Sequence, residues 1–146
     1  MVKVFTIGFT KKPARTFFGL LKDSRATQLV DVRLNNVSQL AGFAKRGDLE
    51  FFLREICGMT YTHMTALAPT QLMLDEFKKR GGDWKVYEAE FIKLLEERRV
   101  EDTLRPSDLD NAVLLCSEEK PHHCHRRLVA EYLRDRWVNV EIDHLG

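Results

Sequence analysis

No stretch of the sequence approaches the ~18 consecutive apolar residues of a membrane-spanning helix. Cysteine is scarce, with three in 146 residues. An odd, small number argues against a disulfide framework. A chain of this length buries about 68–70% of its unfolded surface and needs no covalent staple or metal to fold. Those two points imply a reducing, cytoplasmic setting. Charge of either sign is not in excess: 23 Lys and Arg stand against 22 Asp and Glu, a formal charge of +1. Nothing global therefore draws the chain to nucleic acid or a membrane, although a local basic patch remains open. Repeats and low-complexity tracts are absent. So are the Gly-x-x-x-x-Gly-Lys and Gly-x-Gly-x-x-Gly phosphate loops. A thiolate phosphatase loop needs Arg six residues after Cys, but His122 and Ala130 stand six after Cys116 and Cys124.

What is present is globular, with 44% hydrophobic and 31% charged residues, values that exclude wholesale disorder. Met1 to Phe5 lacks the basic stretch and apolar core of a signal peptide and reads as the start of a strand. Strand patterns run over Val2–Ile7, Gln28–Val32, Met59–His63, Ala112–Cys116 and Val138–Ile142. Ala112–Cys116 is wholly apolar, as expected of a strand covered on both faces. Between the strands lie helical periodicities: Pro13 to Ser24, Asp48 to Cys57 with Gly58 as its stop, Thr70 to Arg80, Trp84 to Arg99, and about His122 to Arg136 after Pro121. Leu34 to Gly47 reads as a long, functional connection. Alternating strands and helices predict one α/β domain over residues 1–146, with about five mostly parallel strands and helices on both faces.

In open α/β sheets, ligands bind beyond the carboxyl ends of the strands. The residues expected there are Gly8-Phe9-Thr10, Asp31 and Arg33, His63, Cys116-Ser117-Glu118, and Asp143-His144. The densest segment runs from Cys116 to Arg127. It reads as a strand end, a loop and a helix start, where free backbone N–H groups favour anions. Positive potential there also lowers a thiol pKa. The leading reading is a pocket for an anionic ligand, a nucleotide or nucleic-acid end, with a possible catalytic role. In it Arg33 and Arg126, with Asp31, hold the anion. His63 or His125 acts as general acid–base. Cys116 is the candidate nucleophile, and Glu118 orients a His or an Arg.

Plainer readings stand beside each of these. Cys116 ends a buried strand and can be a small hydrophobe. Cys57 reads as structural. His125 shares a face with Leu128 and Tyr132 and can be a hydrogen-bonded core residue. Arg33 can simply be the ion-pair partner of Asp31. His122 and His123 can be solvated loop residues. No cofactor or metal is expected. Zinc is the competitor, since Cys116, Cys124, His125, His63 and His144 are suitable ligands. The Cys116-to-Cys124 spacing matches no zinc knuckle, and His122-His123-Cys124-His125 cannot all face one ion from a helix. Two other functions remain: a thiol redox protein using Cys116 and Cys124, or a non-catalytic module binding nucleic acid or protein. The second would use Lys11-Lys12, Lys78-Lys79-Arg80, Arg98-Arg99 and Arg126-Arg127 as a basic patch. The oligomeric state is not readable.

Four ordered segments resemble the domain-of-unknown-function 488 family: Thr6-Ile7-Gly8; Leu29-Val30-Asp31-Val32-Arg33 with Ser38; Tyr61-x-His63; and Leu114-Leu115-Cys116-x-Glu118 leading to Cys124-His125-Arg126. The resemblance implies a small α/β domain of mostly unassigned function, with members suspected of acting on nucleotides or nucleic acids. It also marks departures. Phe9 and Thr10 replace the usual His and Ser, Asn36 replaces a Pro, and Glu141 replaces a His of the last strand, with His144 nearby.

Overall fold

A computed structural model describes residues 1–35, 42–118 and 123–146. Asn36, Ser38, Pro121 and His122 lie outside the described residues. Five strands form one sheet: β1 (Val2–Gly8), β2 (Gln28–Asp31), β3 (Thr60–His63), β4 (Ala112–Cys116) and β5 (Val140–His144). Their order is β3-β2-β4-β1-β5, and every pairing is parallel. The continuous apolar run of β4 is explained by its place. It is the central strand, with all five residues buried.

Side chains alternate across the sheet and build a core on each face. Phe5, Ile7, Leu29, Val113 and Leu115 face Phe17, Phe18 and Leu21 of α1 (Ala14–Ser24), with Leu49 of α2 (Arg46–Phe52) and Leu53. Val4, Val30, Ala112, Leu114 and Cys116 face the other core. There Phe91 and Leu95 come from α4 (Trp84–Arg98), and Leu128, Val129, Tyr132 and Leu133 from α7 (His125–Arg136). Before α4, α3 (Gln71–Leu74) continues as a wider turn over Asp75–Lys79, and after it come two one-turn helices, α5 (Val100–Thr103) and α6 (Pro106–Leu109). No helix among the described residues is long and apolar enough to cross a membrane.

Helix limits follow local chemistry. Thr70 caps α3 by accepting from the Met73 N–H at 3.2 Å, and Asp83 caps α4 by accepting from Lys85 N–H at 3.0 Å. The chain after α2 continues as a wider turn to Cys57 and stops at Gly58, whose φ of +64° suits glycine. Several limits shift. α2 begins at Arg46, with Asp48 in its first turn, and β5 runs over Val140–His144 rather than Val138–Ile142. Pro13 is the residue before α1 rather than inside it. The last helix starts at His125, because Cys124 is extended at φ −137° and ψ 137°. The short helices α5 and α6 have no counterpart in the periodicity, because four residues are too few to show one.

Candidate functional site at the carboxyl rim of the sheet

Parallel strands place all five carboxyl ends on one rim. In register, Gly8 lies opposite Cys116, Asp31 opposite both Leu115 and His63, and Thr6 opposite His144. The β1-to-β2 connection crosses β4 while the β4-to-β5 connection crosses β1. These connections use α1 and α7, which pack on opposite faces. Neighbouring strands whose chains leave in opposite directions open a crevice at this end. A cleft of about 560 Å³ lies there, lined by residues including Phe9, Thr10, Arg33, Lys78, Ser117, Glu118 and His125.

Arg33 is the most constrained cation on the rim. It is buried, and its Nε and Nη2 donate to Asp31 Oδ1 at 2.9 Å and Oδ2 at 2.7 Å. Nη2 also donates to the Ala44 carbonyl at 2.8 Å. Nη1 is buried and has no hydrogen-bond partner among the described residues. The guanidinium lies over the Phe9 ring, 5.3 Å from its centroid. Asp31 is completely buried and takes two further bonds, from the Arg33 N–H at 3.1 Å and the Tyr61 hydroxyl at 2.7 Å. Its oxygens are thus committed to holding Arg33. His63 steadies the same residue, since its Nε2–H donates to the Arg33 carbonyl at 2.6 Å.

The β4–α7 turn carries the second group. Cys116 and Cys124 are joined as a disulfide beneath the rim, both almost fully buried. Arg126 has no exposed surface. Its Nη1 donates to the Glu118 carbonyl at 2.6 Å and lies 3.5 Å from Cys116 Sγ. Burial lowers the Arg126 pKa to about 10, so it keeps its charge at neutral pH. The Glu118 carboxylate pairs with Lys78. Gly8 makes this packing possible. A Cβ there would overlap the Glu118 carbonyl and come within 2.6 Å of Arg126 Nη1.

His125 Nε2 lies 2.6 Å from the Val32 carbonyl, which can only accept, so Nε2 bears the proton and Nδ1 the lone pair. Burial, aided by the charges of Arg126 and Lys78, lowers its pKa to about 4, against the opposing pull of the Val32 bond and Asp31. His125 is neutral at pH 7. The unfolded chain, with a His pKa near 6.5, takes up a proton first as pH falls. Stability is therefore full above about pH 6.5 and declines as pH drops toward 4, by about 3 kcal/mol from this residue. Urea unfolding across that window measures it. His125→Gln should flatten this part of the decline, and an unchanged decline in the variant would assign it to other groups.

The remaining predicted residues are placed as follows. His144 ends β5, with Nδ1 2.5 Å from Thr6 Oγ1, and burial lowers its pKa. Glu141 pairs with Lys3 at 3.9 Å. Cys57 is half-buried, its thiol donating to the Phe18 carbonyl at 3.7 Å. Arg98 Nη1 donates to the Ala66 and Ala68 carbonyls at 2.8 and 2.7 Å. Arg99 pairs with Asp102, and Arg127 with Glu88 and Glu131. Each of these arginines is engaged in local contacts. His123 stacks on Trp84 with centroids 4.9 Å apart.

Of the five zinc-capable residues, Cys116, Cys124 and His125 come together, with ligand atoms within 4.8 Å of one another; His63 and His144 do not join them. Of the run His122-His123-Cys124-His125, only Cys124 and His125 join this group among the described residues. The chain turns between an extended residue and the first helical one. Lys78 and Tyr61 are rim residues that carried no role in the sequence reading. Lys78 stood only in a basic run, and Tyr61 only in a resembling motif. A larger apolar groove of about 670 Å³ runs between α1 and the α2 segment, lined by Phe18, Phe43, Phe52 and Ile56. It holds none of the rim chemistry.

The model of a family described as "Domain of unknown function DUF488" matches residues 13–133. No curated protein and no solved structure matches the chain.

Proposed function

The chain belongs to the DUF488 family, and on that premise, which brings no activity with it, we propose that the carboxyl-rim cleft binds an anionic ligand, a nucleotide or the end of a nucleic acid. The carrying observation is Arg33. A guanidinium is fixed side-on by Asp31 at the cleft wall with Nη1 left unpartnered among the described residues. A buried donor without an acceptor costs about 1–3 kcal/mol. A phosphate or carboxylate oxygen relieves that cost with a charge-assisted bond. Lys78 adds a second cation that an anion can draw from Glu118, and the buried Phe9 ring beneath Arg33 helps hold the guanidinium in place. Arg126 and Asp31 act from below, one holding the β4–α7 turn and the other aiming Arg33. Cys116 serves as nucleophile only once its bond to Cys124 is reduced.

Thermal unfolding with phosphate, sulfate and a set of nucleotides tests this. A ligand at 100 times its Kd adds about 2.7 kcal/mol. The shift should appear with at least one phosphorylated ligand, persist in Cys57→Ala, and shrink in Lys78→Ala and Arg33→Lys. No shift with any of them in the wild-type chain contradicts the reading.

The Cys116–Cys124 bond favours a second reading, a dithiol–disulfide couple. A substrate dithiol would give up two electrons and two protons to leave two cysteine thiols, and Arg126 beside Cys116 Sγ would stabilise the thiolate.

A further inference from the structure

We propose that the reduced Cys116 and Cys124, with His125, form a binding site for a thiophilic metal ion of the zinc type. Three donors of the right softness converge from two separated segments, and their ligand atoms lie within 4.8 Å of one another. Cys116 and Cys124 are 1% and 2% exposed, so bulk water does not compete for them. The His125 Nε2–H is anchored on the Val32 carbonyl, the outer contact that usually orients a metal-bound imidazole. That bond fixes the tautomer and presents Nδ1 as the ligand nitrogen.

The cysteine Cα atoms are 7.4 Å apart, beyond the 4.4–6.8 Å usual for disulfides. Two sulfurs on one tetrahedral zinc, each at about 2.3 Å, stand about 3.8 Å apart. Once reduced, the two sulfurs part to that distance to admit the ion. A cavity of about 40 Å³ adjoins all three donors. That is room for one water, whose share of liquid volume is about 30 Å³. No fourth His, Cys, Asp or Glu joins the group among the described residues. Three protein ligands with an open position are the pattern of a reactive rather than a purely structural zinc. Arg126 Nη1, 3.5 Å from Cys116 Sγ, offsets the charge of a thiolate ligand. Thiolate and imidazole donors disfavour magnesium and calcium.

Filling the site requires a dithiol reductant, which is itself oxidised as two cysteine thiols form. Both thiols then lose their protons as the metal binds. The site stands or falls separately from anion binding in the cleft.

The full chain, reduced with a dithiol and freed of it without air, is titrated with zinc alone and counted by native mass spectrometry. One ion per chain is expected in the wild type and in Cys57→Ser. Cys116→Ser and His125→Asn should bind at least tenfold more weakly. Cobalt in place of zinc should give thiolate charge-transfer and tetrahedral absorption bands. Should Cys116→Ser fail to fold, the cobalt spectrum of the wild type and of Cys57→Ser decides. A folded, reduced wild type that takes up no zinc, a Cys116→Ser chain that binds equally well, or cobalt bands without thiolate character each overturns the site.

Discussion

Replacing Asp31 with alanine is expected to destabilise the fold by about 4 kcal/mol, the largest effect of any single substitution at the rim. Asp31 has no exposed surface and receives two side-chain bonds from Arg33, one from the Arg33 N–H and one from Tyr61. Removing the carboxylate leaves a buried guanidinium without its counter-ion. The attraction within such a pair roughly balances the cost of desolvating both charges, so removing the pair together is far milder. The double variant Asp31→Leu, Arg33→Met should therefore recover most of the loss, while ligand shifts in the cleft vanish. Tyr61→Phe should cost only about 1–1.5 kcal/mol, one hydrogen bond. Urea unfolding of the four chains reads these values. An Asp31→Ala loss below about 1 kcal/mol would mean that Arg33 is hydrated in solution.

Gly8→Ala comes second, at about 3 kcal/mol. Gly8 does not need its glycine for a special φ. It needs it because the Glu118 carbonyl and Arg126 Nη1 occupy the space of a Cβ. Adding one methyl must push the β4–α7 turn outward, parting Arg126 from Glu118 and from Cys116. The loss should thus be twofold: a lower melting temperature and faster alkylation of Cys116 in the reduced chain. Gly19 provides the control, because nothing lies within 4 Å of the space its Cβ would take. Gly19→Ala should be neutral or slightly stabilising. Equal effects at the two glycines would contradict the close approach at Gly8.

Much of this architecture was legible in the residues. The apolar run of β4 marked a central strand, and strand–helix alternation required parallel pairing. Parallel pairing in turn required Gly8, Asp31, His63 and Cys116 to share a rim. The plain reading of Arg33 as the partner of Asp31 holds, and it also explains how Arg33 is aimed. Three features were not legible. Periodicity cannot show that Gly8 touches the turn after β4, because that contact joins segments more than a hundred residues apart. Nor can it show that Cys124 stands outside the helix, since one extended residue leaves no repeating signal. The roles of Val32 and Ala44 are carried by backbone carbonyls, which are chemically alike in every residue.

The central claim is that the carboxyl rim gathers these groups into a seat for an anion. Its most direct test is an NMR titration of the ¹⁵N-labelled chain with a nucleoside monophosphate, following the amides and the Arg33 side-chain Nε–H. Saturable shifts should concentrate at Phe9, Arg33, Lys78 and Ser117, and disappear in the Asp31→Leu, Arg33→Met chain. Shifts confined to the groove between α1 and the α2 segment, or no saturable shift at millimolar ligand, would contradict it.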